Sequence, residues 1–148
     1  MLVIETAKIV QAVCYMLGRI GRADKLKLVK LLFLADKCHL IRYGRTITGD
    51  EYWAMGYGPV GSATKDVLTF DKAFSSNELD YASKMLKKVS EHEFEVSAPC
   101  NPESLDLLSE TDIEAIQLVL EGYGHLSTNE LTRTPEPTKG MPNSSRNP

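Results

Sequence analysis

The stretch from Asp24 to Gly44 constrains this chain more than any other. Asp24 offers a capping oxygen at a helix start. Leu28, Leu31, Leu32, Ala35 and Leu40 then recur at helical steps, and Gly44 supplies the permissive backbone that ends the helix. Lys25, Lys27, Lys30 and Lys37 lie largely outside that stripe. So leucine-rich a helix needs another element to cover its apolar face. The segment before it, Val3 to Gly18, supplies one: Val3, Ala7, Val10, Cys14 and Leu17, with Ile9, Val13 and Met16 beside them, make a second broad apolar face.

After Gly44 the periodicity changes. Thr46, Ile47 and Thr48 are β-branched, Gly49-Asp50 is a turn signal, and Glu51 to Tyr57 alternates as a strand does. Gly58-Pro59 is expected to stop that strand, because proline lacks the amide proton of a ladder. A third helix is predicted over about Val60 to Phe70. Glu78 to Val89 reads either as a short helix or as a charged connection. Glu93 to Ser97 alternates strictly and is expected as a strand that could pair with the earlier one. Ser109 with Asp112, and Ser127 with Glu130, have the spacing of capping boxes, so each opens a further helix. The reading is a mainly α (α+β) fold: a helical domain over residues 1–133 with a small antiparallel β-hairpin or ribbon. Pro135 to Pro148 holds four of the seven prolines and almost nothing apolar. Residues 134–148 are therefore expected to be a disordered tail.

Charge and cysteine usage narrow the function. The net charge is -3, but residues 1–50 carry nine Lys or Arg against four Asp or Glu, and the remainder eight against sixteen. A basic half of this kind is either a binding face or a solvated surface. The leucines of the second helix and the acidic remainder both oppose a helix lying in a DNA groove. No apolar run reaches the roughly 18 residues of a membrane span. Glu5, Lys8 and Gln11 interrupt what would be the core of a secretory signal, so a cytoplasmic protein is expected. The three cysteines are widely spaced and form no C-x-x-C, which argues against a disulfide framework or a cysteine zinc site.

Candidate chemistry is sparse. Asp36 and His39, three apart on one helix face, could join a metal site with other donors, although a lone D-x-x-H is a weak signal. Cys38 precedes His39, but adjacent helical residues point about a hundred degrees apart. Nucleotide-binding and hydrolase motifs are absent from the sequence, and neither a cofactor nor an enzymatic activity is expected. Tyr52, Trp53, Met55 and Tyr57 stand out instead: they hold the only tryptophan, at a strand, as interface anchors or as one face of the core.

These blocks together resemble a known family. The run Lys30-Leu31-Leu32-Phe33-Leu34-Ala35-Asp36-Lys37-Cys38-His39-Leu40 is followed by Tyr43-Gly44-Arg45, then Ile47-Thr48-Gly49-Asp50-Glu51-Tyr52, Ala54-Met55 and Tyr57-Gly58-Pro59-Val60. Their order and spacing resemble the Panacea domain, the SocA-like antitoxin family found in prophages as GepA-type phage-associated proteins. The resemblance runs over about residues 5–133. Arg133 stands where the family commonly carries His, and no Trp follows it. The resemblance implies a bacterial or prophage antitoxin that neutralises a toxin encoded beside it by direct contact, with action as a proteolytic adaptor to ClpXP as one form of that role. On that reading Trp53, Tyr57 or Met55 would anchor the toxin, beside Tyr52. Asp36, His39, Asp50 and Glu51 would contact it or hold the helix-to-strand corner in shape. The rival readings are a DNA-binding autoregulator of its operon and a metal-dependent enzyme using Asp36 and His39.

Overall fold

A leucine-rich helix runs through the centre of the molecule. The computed structural model describes residues 4–55, 58–69, 76–97 and 105–133. In chain order these form α1 (Ile4–Ile20), β1 (Ala23–Asp24), α2 (Lys25–Tyr43), β2 (Tyr52–Met55), β3 (Gly58–Gly61), α3 (Ser62–Thr69), α4 (Ser76–Met85), β4 (Leu86–Lys88), β5 (Glu93–Val96), α5 (Glu110–Tyr123) and α6 (Thr128–Arg133). The fold is mainly α with a small antiparallel β component, as the periodicities predict, and among the described residues that component forms two sheets, β1-β5-β4 and β2-β3, rather than one hairpin or ribbon. Val3, Phe70, Pro99, Pro102 and the 134–148 tail lie outside the described residues.

α2 forms where its caps dictate. The Asp24 carboxylate accepts from the Lys27 amide at 2.8 Å. Gly44, at φ 84°, closes the other end and donates its amide to the Leu40 carbonyl. Leu28, Leu31, Leu32, Leu34 and Ala35 are buried, and α1, α5, α6 and β3 pack around them. α1 is buried over most of its length. Its Gln11 donates to the Tyr81 hydroxyl and to Asp106, both at 3.0 Å, and accepts from the Leu107 amide at 2.9 Å. A buried amide is thus matched at both ends, tying α1 to α4 and to the turn before α5. Cys38 is a buried free thiol. Cys14, also buried, is disulfide-bonded, a bridge that spacing along the chain could not reveal.

Two strand expectations need correction. Gly58-Pro59 does not end the β structure but belongs to β3, which pairs with β2 in the register Tyr52↔Gly61, Trp53↔Val60, Ala54↔Pro59 and Met55↔Gly58. Ser62 donates to the Glu51 carbonyl at 2.8 Å, and that sets the alternation of the ladder. Ala54–Pro59 then falls at a non-hydrogen-bonded position, where the missing N–H is not needed. Val60 is consequently a strand residue, and α3 begins at Ser62. The second correction concerns β5, which pairs with β4 and β1 rather than with β2. The ambiguous charged stretch divides into helix α4 and strand β4. Both capping boxes form: Ser109 and Asp112 exchange bonds at 2.9 and 3.0 Å, and Ser127 and Glu130 at 2.8 and 3.1 Å.

Candidate functional site

The segment that joins α2 to the β2–β3 hairpin is held by Asp36. This carboxylate, 1% exposed, sits in mid-helix and collects four donors from the chain that follows. One oxygen accepts from the Ile47 and Thr48 amides at 2.8 and 3.1 Å. The other accepts from the Thr48 and Tyr52 hydroxyls, each at 2.5 Å. Burial pushes the Asp36 carboxyl above its usual range, and these hydrogen bonds only partly oppose that. The Tyr52 phenol is pushed far up by its own burial and then by the Asp36 charge, so it stays a donor.

A relay continues outward. The Thr48 hydroxyl accepts from the Asp50 amide at 3.0 Å. The Asp50 carboxylate accepts from the Ala63 and Thr64 amides at 2.8 and 2.9 Å and from the Thr64 hydroxyl at 2.7 Å. Asp50 therefore caps α3 from a distance along the chain. Gly61 makes this possible, since a Cβ there would lie 2.3 Å from the Asp50 oxygen.

His39, fully buried, organises the other side of the corner. Its Nδ1 lies 2.6 Å from the Arg45 carbonyl, which can only accept, so Nδ1 carries a proton. Its Nε2 lies 2.8 Å from the Thr111 hydroxyl and 3.2 Å from the Asp112 carboxylate. Asp112 also faces Lys8 at 3.1 Å and Arg45 at 3.2 Å, joining α1, α2, the corner and α5. Burial raises the Asp112 carboxyl, but the Ser109 amide, Lys8 and Arg45 outweigh it and hold the group below the usual carboxylate range. The Lys8 and Arg45 contacts carried no sequence signal. The Ser109-x-x-Asp112 spacing marked the cap but not its second role.

Asp36, His39 and Asp50 are thus turned inward, and Tyr52 lies half-buried against the Phe33 ring at a centroid distance of 5.2 Å. Glu51 is exposed, and Trp53 is 61% exposed. The Met55 side chain and Tyr57 lie outside the described residues. The two candidate metal donors engage different partners: Asp36 engages Ile47, Thr48 and Tyr52, whereas His39 engages Arg45, Thr111 and Asp112. Among the described residues no group of three His, Cys, Asp or Glu could hold a metal ion, and no helix there is long and apolar enough to cross a membrane.

What this arrangement defines is a helical domain whose central helix presents a hairpin through buried polar bonds, with a large aromatic left on the outside. The family model for the antitoxin SocA-like, Panacea domain matches residues 28–135, and the chain belongs to that family. Membership places it among antitoxin-like proteins, whose partner is in general a toxin. No curated protein and no solved structure matches the chain.

Proposed function

We propose that this protein neutralises a cognate toxin by direct protein–protein contact, acting without catalysis of its own. The observation that supports this is the exposure of Trp53 on a hairpin whose base is locked to α2 by Asp36. A bulky aromatic held out by a rigid support loses little conformational entropy when a partner covers it. In this reading Trp53 and Glu51 meet the toxin, together with Met55 and Tyr57, their near neighbours in the sequence. Asp36, His39, Asp50 and Tyr52 act as positioning residues that fix the hairpin. The test is co-expression with the neighbouring open reading frame, read by growth rescue and co-purification. Trp53→Ala should leave folding intact and weaken the complex by about 2 kcal/mol or more; unchanged affinity would refute the anchor. Delivery to ClpXP is a finer version of the proposal. It requires the toxin's half-life to shorten when antitoxin and protease are both present, and rescue to fail in cells lacking the protease.

A further inference from the structure

We infer that the groove between the start of α2 and the β3–α3 corner receives an acidic, apolar-anchored segment of the partner protein, an inference that rests on the antitoxin reading above. The groove has a volume of about 240 Å³ and is lined by Lys25, Leu26, Val29, Val60 and Lys65. Its floor is aliphatic among the described residues, and its two charged side chains there are both cationic. Among the described residues neither ammonium has a hydrogen bond or ion pair within the chain. Two arginines elsewhere differ in this respect: Arg22 meets Glu95 at 2.6 Å and Arg42 meets Glu114 at 3.7 Å. Lys25 and Lys65 are thus both open to an outside carboxylate, and they flank one aliphatic floor.

Three further observations fix the occupant. Val60 is the cross-strand partner of Trp53, and such pairs lie on one face of a hairpin, so the groove and the exposed indole belong to the same face. The volume is below the roughly 300–1,000 Å³ of small-molecule clefts but suits a single inserted aliphatic or aromatic side chain. The lysines alone would suit a phosphate too, but Leu26, Val29 and Val60 give a base neither a ring to stack on nor a hydrogen bond, which distinguishes this groove from a nucleic-acid channel, where stacking rings line the track. A Leu or Phe inserted between two lysines, with Asp or Glu on either side of it, satisfies the floor and both rims.

The experiment follows the methyl resonances of Leu26, Val29 and Val60 in the full chain. The probe is a short synthetic peptide carrying Leu and Phe among glutamates, compared with a twin carrying lysines in their place. Saturable shifts with the acidic peptide alone are expected, weakened about tenfold by Lys25→Glu with Lys65→Glu and unchanged by Lys88→Glu on β4. The milder Lys25→Gln with Lys65→Gln pair should weaken binding in the same direction. Absent shifts, equal binding of the lysine twin, tighter binding of a DNA duplex at the same methyls, or occlusion of the groove by self-association would each overturn the inference. The co-expressed toxin separates the two proposals. A toxin complex that survives the double charge reversal undiminished removes this groove as its site while the antitoxin role stands. Peptide binding that behaves as expected without any toxin complex keeps the groove and its acidic ligand class but removes the antitoxin role.

Discussion

Replacing Asp36 with alanine tests whether one buried carboxylate holds the corner. The substitution strips the acceptor from two amides, Ile47 and Thr48, and from two hydroxyls, Thr48 and Tyr52. The hydroxyls can rotate toward other acceptors; the amides cannot. Each buried amide left unpaired costs about 1–3 kcal/mol. Removing a carboxylate whose charge is disfavoured by burial returns part of that cost. The expected loss is about 3 kcal/mol, a large share of the roughly 5–15 kcal/mol that stabilises a domain. Asp36→Asn keeps one oxygen toward the two amides and should lose only about 1 kcal/mol. Urea unfolding followed by far-ultraviolet circular dichroism measures both variants, and hydrogen exchange at Ile47 and Thr48 shows whether the loss is local. Equal losses for Ala and Asn, or a loss below about 1 kcal/mol for Ala, would refute the reasoning.

Three further outcomes follow from the same geometry. The folded state raises the Asp36 carboxyl, so wild-type stability from this group is full at acid pH and falls as pH rises through the folded value. The stability difference between wild type and Asp36→Asn should therefore be smaller at neutral pH than near the ordinary carboxylate range, as parallel urea titrations would reveal. Asp112 has the opposite sign: its contribution is present above the unfolded value and disappears as pH falls through the lower folded value. Asp112→Asn should cost about 3 kcal/mol at pH 7 and flatten the acid limb of the stability profile; an unchanged limb would exclude the Lys8 and Arg45 contacts as its source. Gly61→Ala should cost about 2 kcal/mol by displacing the Asp50 cap from α3, read as a lowered urea midpoint, and an unshifted midpoint would show that the corner can yield.

Features that depend on a few neighbouring residues could be read in advance. The Asp24 and Gly44 caps of α2 and the two Ser-x-x-acid boxes are local chemistry, and all four form where their residue types require. Pro59 misled because its effect depends on ladder parity, which Ser62 and Glu51 set from outside the strand. β5 was legible as a strand, but its neighbours were not, since Ala23 lies far from Phe94 in sequence. Of the candidate site, the aromatic hairpin was visible and the inward role of Asp36 and His39 was only one of two alternatives. A polar residue on a helix looks the same whether it meets water or a buried amide, and only the arrival of Ile47, Thr48 and Thr111 decides.

The family pattern begins at Leu28, yet the deeply buried α1 precedes it. Lys8 neutralises Asp112 and Gln11 clasps α4 from that helix, while Ile9, Val13 and Met16 fill the core. The unit of recognisable ancestry is thus shorter than the unit of folding. A fragment trimmed to the recognisable part would begin inside a helix whose capped start it had lost. It would also carry a carboxylate without its lysine and an uncovered hydrophobic trough. The leading helix, which the family model leaves uncovered, supplies contacts on which the rest of the fold leans.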